Sequence, residues 1–329
     1  MIIDVHGHVT APPHLYAYKA GLVSHRGAHG RGGPPITDEQ ITTSLKRHLD
    51  LLESVGTDLQ FISPRPFQMM HSEKPEAIVH YWNEAVNDVI AREVKMHPDL
   101  FRGIAGLPQC AGVSTANCVD ELERCVKELG FIGALINPDP GEGDGLAPPM
   151  GDEYWYPLYE KAVELDVPLL VHSAGCKSAR ETYGAHFITE ESIFILTLLN
   201  STVFDDFPNL KIVVGHGGGS IPFQIGRWRA GRWRGQGKQG ESFDESLRRL
   251  YFDTVLYNQE SLELLFKIVG PDRCLFGTER PGTGDVMNPD TGLWQDDLKP
   301  VIEAIDWLDD KDRKLIFEDN AKSLFKLGL

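Results

Sequence analysis

The chain has 329 residues, 41% of them hydrophobic and 24% charged, so it can bury a large core and is not a disordered protein. Its 32 Lys and Arg residues face 48 Asp and Glu, a net charge of −16 that argues against nucleic-acid and anionic-membrane partners. A small anionic substrate stays compatible with this charge, because a local arginine pocket can override it.

The five cysteines are scattered and none forms a Cys-x-x-Cys pair, so neither a disulfide framework nor a structural zinc knuckle is expected. No basic segment followed by a long apolar run opens the sequence, and no stretch of about 18 apolar residues is present to span a bilayer. We therefore expect a cytoplasmic protein.

Short apolar runs alternate with amphipathic stretches along the chain. The candidate strands are residues 2–5, 58–62, 101–107, 133–136, 169–172, 211–215, 250–253 and 274–277. The candidate helices are residues 37–55, 76–97, 116–129, 152–165, 189–200, 259–268 and 309–325. Several strands are apolar on both faces, as in a parallel sheet covered on both sides. Eight strands alternating with helices predict an α/β fold, a TIM-like (β/α)8 barrel.

Three segments rich in glycine, proline or charge interrupt this alternation, at about 9–36, 137–151 and 227–240. In such a barrel the loops that follow the strands form the rim of the active site. We expect a single domain over residues 1–329, with these segments as long loops at its catalytic face.

Metal-binding side chain types stand at the ends of four predicted strands. His6 and His8 follow the first strand directly, and residues two apart on an extended chain point to the same side. His172, His216 and Glu279 end three later strands. Imidazoles and a carboxylate are ligands for zinc and its first-row neighbours. The pattern predicts a metal centre, at which an open coordination position lowers the pKa of water toward about 7.

The order HGH, VH, GHGGG and LFGTE at these four strand ends resembles the amidohydrolase superfamily, whose members are metal-dependent hydrolase-type barrels. More narrowly, the chain is similar to the branch that contains aminocarboxymuconate-semialdehyde decarboxylase, the resorcylate decarboxylases and the 4-oxalomesaconate hydratases. The similarity extends over nearly the whole chain and is greatest to the hydratases. Most of the branch has Asp at the last strand end, whereas the hydratases and this sequence have Glu, here Glu279.

The resemblance implies a zinc-dependent hydro-lyase of aromatic-compound catabolism, which adds water to an unsaturated oxo-di- or tricarboxylic acid like 4-oxalomesaconate. It implies that His6, His8, His172 and Glu279 hold one Zn²⁺, with Mn²⁺ or Fe²⁺ as alternatives. His216 would be the catalytic acid/base residue, and Glu279 could assist it as a base.

Substrate carboxylates need cationic partners, and Arg pairs with them in bidentate geometry. Arg65 ends a predicted strand and is the first candidate; Arg227, soon after the HGGG motif, is the second. Asn137 and Asp139 follow the fourth strand and are candidates to orient the substrate or its loop. Asp253 ends another strand and is a candidate partner for a metal-binding histidine.

Four further histidines could reach the site from loops, and the sequence leaves their roles open: His14, His25, His29 and His186. The segments 11–35 and 173–192 depart from the hydratase pattern. The sequence around 228–234, WRAGRWR, is typical either of an interface, and so of a homo-oligomer, or of a lid.

Three other functions stay open. A non-oxidative decarboxylase of a phenolic or unsaturated acid would use the same metal. A lactone or amide hydrolase is the commoner chemistry of the wider superfamily. A binding scaffold has no need of five convergent strand-end groups, so the intact metal set argues against it.

Overall fold

The computed structural model describes residues 1–329 and contains the predicted eight-stranded barrel. The strands are β1 (Ile3–His8), β2 (Leu59–Ser63), β3 (Phe101–Ala105), β4 (Gly133–Ile136), β5 (Leu169–Val171), β6 (Ile212–Val214), β7 (Tyr251–Asp253) and β8 (Cys274–Leu275). Each strand pairs in parallel with the next, from β1 to β8. The ring closes where Val5 N–H donates to the Phe276 carbonyl oxygen at 2.9 Å and Gly7 bridges to Arg280. The α/β TIM-barrel fold is confirmed.

Thirteen helices connect and follow the strands. They are α1 (Pro13–Ser24), α2 (Asp38–Val55), α3 (Ala77–Met96), α4 (Val119–Lys127), α5 (Tyr156–Leu165), α6 (Tyr183–Leu199), α7 (Val203–Asp206), α8 (Ile225–Trp233), α9 (Phe243–Leu247), α10 (Gln259–Val269), α11 (Lys299–Glu303), α12 (Asp310–Lys314) and α13 (Asn320–Leu324). Helix α2 shows how local sequence sets these bounds: Thr37 and Gln40 form a reciprocal capping box, and Gly56 ends the helix in the left-handed conformation. No helix has the length and apolar character required to cross a membrane.

Two segments predicted as loops contain helices. Within 9–36, α1 begins at Pro13, where a missing N–H costs nothing, and buries Leu15 and Leu22 seven residues apart on one face. Within 227–240, α8 forms although it contains Gly226 and Gly231, because Ile225 is buried against the core.

Two predicted helices differ most from the helices of the structure. Helix α6 begins six residues before the predicted start at 189, because the Thr182 side chain caps it through Ala185 N–H. The predicted helix 309–325 is interrupted by a π-helical turn over Leu315–Asp319, which separates α12 from α13.

The core has two parts. A large apolar layer fills the space between the sheet and the surrounding helices. A smaller cluster fills the barrel itself, with Ile3, Phe61 and Leu275 from the strands and Leu324 and Phe325 from the C-terminal segment. The rings of Phe61 and Phe325 lie 4.8 Å apart, edge to face. The C-terminal segment therefore plugs the end of the barrel where the strands begin, opposite the predicted catalytic face.

Candidate metal centre and substrate cavity

Four buried histidines converge at the carboxyl ends of the strands. The ring centroid of His6 lies 5.2 Å from those of His8, His172 and His216, and the rings of His172 and His216 are 4.8 Å apart. The parallel barrel brings these side chains together from β1 and from the residues after β5 and β6, because all its strands end at one face.

The three histidines predicted as ligands each use Nδ1 for a hydrogen bond with the protein. His6 donates to Asp253 Oδ2 at 2.6 Å, His8 to Ser63 Oγ at 2.9 Å, and His172 to the carbonyl oxygen of the next residue at 2.7 Å. A bond at Nδ1 fixes the tautomer and leaves the Nε2 lone pair for a metal. Burial lowers the pKa of His8 and His172 well below the usual value, so both stay neutral, as ligands must.

The donor atoms fit a divalent metal of the zinc type. The Nε2 atoms of His6 and His172 are buried without any hydrogen-bond partner. The ligand atoms of His6, His8 and His172 lie within 4.8 Å of one another, and those of His172, His216 and Glu279 form a second such group. Buried polar atoms normally have partners, so metal binding explains these inward-facing nitrogens better than packing does.

His216 lies between two carboxylates. Its Nδ1–H donates to Glu191 Oε1 at 2.7 Å, and its Nε2 is 3.6 Å from Glu279 Oε1. Burial alone would lower the pKa of His216, but the charge and hydrogen bond of Glu191 raise it well above the usual value. Burial alone would raise the pKa of Glu279, but the nearby charge of His216 lowers it. Tyr257 adds a 2.5 Å hydrogen bond from its hydroxyl to Glu279 Oε2.

The glycines of the HGGG motif let α6 approach the end of β6. A Cβ on Gly219 would lie 2.5 Å from the Ile188 carbonyl oxygen and from Ser192 Oγ, both on α6. Gly219 also has φ +61°, a left-handed conformation that side chains disfavour. This close approach puts Glu191 of α6 in contact with His216.

A cavity of about 800 Å³ opens above the cluster. It is lined by His8, Lys19, Val23, Arg65, Pro66, Phe67, Met70, Glu73, Glu142, Gly175, Cys176, Lys177, Tyr183, Glu279, Pro281, Gly282 and Thr283. This volume lies in the range for small-molecule sites. The sequence prediction placed Arg65 here, and the structure does so too: its side chain donates to the carbonyl oxygens of Val9 at 3.3 Å and Pro281 at 3.4 Å.

An ion pair ties three loops together at the cavity rim. Lys177 Nζ lies 2.8 Å from Glu73 Oε1 and 3.6 Å from Glu142 Oε2, and Ser72 also donates to Glu142. The Lys177 N–H donates to the Glu142 carbonyl oxygen at 2.7 Å. We call Glu73, Glu142 and Lys177 the rim clamp, because they join the loops after β2, β4 and β5.

Three other residues predicted to bind substrate do not line this cavity. Arg227 is exposed on α8. Asn137 and Asp139 are buried beneath it: Asn137 bonds to His71 Nδ1 at 2.9 Å, and Asp139 Oδ1 accepts from Gly141 N–H at 3.1 Å. They hold the turn that carries Glu142, because their side chains satisfy the backbone of the loop.

The four histidines of unassigned role also lie outside the cavity lining. His14, His25 and His29 are exposed in and beside α1. His186 of α6 is buried, with Nδ1 3.1 Å from Glu181 and Nε2 3.3 Å from Asp139. It therefore joins α6 to the loop after β4.

Sequence reasoning missed three residues that contact the cluster: Ser63, Glu191 and Tyr257. The sequence contains one indication for Glu191: it is a carboxylate on the same helical face as the apolar residues Phe187 and Phe194. Asp253, predicted as a partner for a metal-binding histidine, does contact His6.

Comparisons with known proteins agree with this site. The family model described as Amidohydrolase matches residues 3–327. The chain therefore belongs to the amidohydrolase family.

Three relatives show which members of the family this chain resembles. The 2-keto-4-carboxy-3-hexenedioate hydratase of Sphingobium sp. (strain NBRC 103272 / SYK-6) is 37% identical over 99% of this chain and 96% of its own length. The crystal structure of 4-oxalomesaconate hydratase from Rhodopseudomonas palustris has a TM-score of 0.88 and 32% identity, over 99% of this chain and 96% of that one. A gamma-resorcylate decarboxylase of Polaromonas sp. (strain JS666 / ATCC BAA-500) is 32% identical over 74% of this chain and 75% of its own.

Proposed function

We propose that the protein is a metal-dependent hydratase in the breakdown of aromatic compounds. Its substrate is an unsaturated oxo-tricarboxylate of the 4-oxalomesaconate or 2-keto-4-carboxy-3-hexenedioate type. The observation that carries this proposal is the 37% identity to a hydratase over 99% of the chain. The resorcylate decarboxylase, by contrast, matches over 74%.

The metal site is made of His6, His8, His172 and Glu279. Neutral imidazoles and one carboxylate support Zn²⁺ as the ion, with Mn²⁺ and Fe²⁺ as alternatives. When bound, the metal supplies a Lewis acid that polarises an oxygen ligand and makes its proton easier to remove.

The substrate determines which bonds change. In 2-keto-4-carboxy-3-hexenedioate the C3=C4 double bond is conjugated with the C2 ketone, so C4 is electrophilic and C3 accepts a proton. Addition of water breaks one O–H bond of water and the C3=C4 π bond, and it forms a C4–O and a C3–H bond. The reaction therefore needs one group to take a proton and one to give it.

Two residues of the cluster are placed for these transfers. Glu279 takes a proton from water, and Tyr257 holds its second oxygen. His216 carries a proton at Nε2 and gives it to C3, while Glu191 holds Nδ1–H and keeps the imidazolium in place. Arg65 binds a substrate carboxylate, which is supported by its position in the cavity without a carboxylate partner in the protein.

The proposal is tested by incubating the metal-analysed protein with 2-keto-4-carboxy-3-hexenedioate and with 4-oxalomesaconate. We expect loss of the conjugated ultraviolet absorbance and a product heavier by one water. We expect His216→Asn to lower kcat by about 10²-fold or more, because a general acid is removed.

His14→Asn is the matched control, since His14 is exposed and contacts only Gln40. It should keep wild-type kcat. A metal-loaded wild-type protein that leaves both substrates unchanged would contradict the hydratase proposal. Release of carbon dioxide from 2,6-dihydroxybenzoate would instead favour the decarboxylase.

We further propose that residues 1–329 act as one domain and that the chain forms a homo-oligomer. One continuous eight-stranded sheet supports the first statement. The side chains of Phe223 and Trp233, 77% and 80% exposed beside and on α8, support the second. Light scattering on a sizing column tests the oligomer, and a monomeric mass at micromolar concentration would exclude it.

A further inference from the structure

Lys19 reaches the substrate cavity from α1, far along the chain from every other cation there. Helix α1 is anchored by its buried residues Leu15 and Leu22. This orientation places Lys19, half-buried, in the cavity lining. Its Nζ lies 5.5 Å from the centre of the Trp82 ring on α3, so the aromatic face supports the ammonium from behind.

The ammonium of Lys19 has no carboxylate within 4 Å, unlike the neighbouring Lys177 of the rim clamp, which lies 2.8 Å from Glu73. Burial lowers the pKa of Lys19, although Glu142 and Glu73 act in the opposite direction. A partly desolvated cation without a close counter-ion is unfavourable until an anion binds to it. The cavity thus presents an unsatisfied positive charge.

Arg65 is the second cation of the cavity without a carboxylate partner, and it lies at a different part of the wall. Arg65 donates to the carbonyl oxygens of Val9 and Pro281, which follow His8 and Glu279 closely in the chain, whereas Lys19 lies beside the Trp82 ring of α3. The two cations therefore serve two positions of a ligand, one beside the metal centre and one toward the rim.

We propose that Lys19 binds the carboxylate of the substrate that lies farthest from the metal centre, and that this contact selects polycarboxylates over monocarboxylates. The inference rests on the proposed function and adds the residue that recognises the additional carboxylate of the substrate. A tricarboxylate can occupy the metal centre, Arg65 and Lys19 together. A hydroxybenzoate with one carboxylate leaves Lys19 unsatisfied.

The kinetic test compares Lys19→Met and Lys19→Arg with the metal-loaded wild type on 2-keto-4-carboxy-3-hexenedioate. We expect Lys19→Met to raise KM by about 10- to 100-fold, the effect of losing one charge-assisted hydrogen bond, with kcat within about threefold. We expect Lys19→Arg to restore most of the affinity. Lys46→Met, on an exposed lysine of α2 outside the cavity, removes the same charge and should leave KM unchanged.

A binding test separates this inference from the hydratase reaction. Calorimetry with propane-1,2,3-tricarboxylate as the probe should give a Kd that Lys19→Met weakens by the same factor, while propanoate binds both proteins equally weakly. If the wild type binds the probe through Lys19 but hydrates neither substrate, the proposed reaction fails and the anion site stands. If the wild type does not bind the probe, or if Lys19→Met leaves both KM and Kd within about twofold, Lys19 is not the carboxylate site.

Discussion

At the scale of single residues, two adjacent glutamates of α6 have opposite surroundings. Glu191 is fully buried and accepts the Nδ1 proton of His216. Glu190 points away from the cluster, toward Asp139 and His186, and burial raises its pKa to about 7. Consecutive helical residues do not share a face. A substitution at Glu191 therefore acts on His216, whereas the same substitution at Glu190 changes the helix without changing the contact to His216.

We predict that Glu191→Gln lowers kcat by about 10²-fold, because an amide no longer holds His216 charged and in place. Metal content should stay at the wild-type level. Glu190→Gln is the matched control and should keep kcat within about threefold. Steady-state kinetics and elemental analysis of both variants check this, and equal activities would remove Glu191 from the mechanism.

Asp253 gives a second prediction at the residue scale, this time for metal affinity. Its carboxylate fixes the His6 tautomer from 2.6 Å away. We predict that Asp253→Asn weakens metal binding by about 10- to 100-fold, as measured by competition with a chromogenic chelator. Asp244→Asn, which loses only a surface ion pair with Arg229, should bind metal as the wild type does. An unchanged metal affinity in Asp253→Asn would contradict the role.

At the scale of elements, His186 fastens α6 to the loop after β4. Burial alone would lower the pKa of His186, but the carboxylate of Asp139 and the hydrogen bond with Glu181 raise it above 6.5. A raised folded-state pKa means that the stabilising contribution is complete below pH 6.5 and is lost as the pH rises through the folded-state value.

We therefore predict that His186→Gln lowers Tm more at pH 6 than at pH 8.5, with a gap of about 2 °C or more between the two decrements. Thermal unfolding of the variant and the wild type at both pH values measures this. His25→Gln, on an exposed histidine, should show no such gap. A decrement that is the same at both pH values would mean that His186 acts by packing alone.

At the scale of the whole molecule, the barrel is stabilised at its lower end by the C-terminal plug. Phe325 packs on Phe61 inside the barrel and is 6% exposed. We predict that Phe325→Ala lowers the free energy of unfolding by about 3 kcal/mol, measured by urea denaturation, because it leaves a cavity in the inner core. The histidine cluster lies at the other end of the barrel, so kcat below the transition should not change. Leu329→Ala, on a side chain 54% exposed, is the neutral control, and an equal loss there would contradict the role of the plug.

The sequence predicts the barrel well because each strand is a short apolar run with a polar side chain at its end. All eight strands occur, with bounds within three residues of those predicted. Helices α1 and α8 were not predicted, because Pro12 and Pro13 resemble loop residues and α8 contains two glycines. In both cases tertiary burial of one apolar face stabilises a helix that local propensity does not favour.

For the site, the sequence predicted the residues of the candidate metal centre better than those of the cavity wall. Residues at strand ends meet in any parallel barrel, so the fold alone predicts that His6 and Glu279 lie close together. Arg65 also lies at a strand end, so its position near the cluster could be predicted in the same way. Lys19 and Glu191 instead depend on how α1 and α6 lie across the strand ends, which sequence spacing does not encode.

The closure of the barrel between Val5 and Phe276 has a consequence for synthesis of the chain. During translation, β1 is made first and its second neighbour, β8, last, so both edges of the growing sheet stay unpaired until residues 274–325 have left the ribosome. The same final stretch supplies Glu279 and the plug residue Phe325. Sealing of the inner core, completion of the proposed ligand set and loss of the exposed edges therefore coincide, and a nascent chain stalled before this stretch has none of the three.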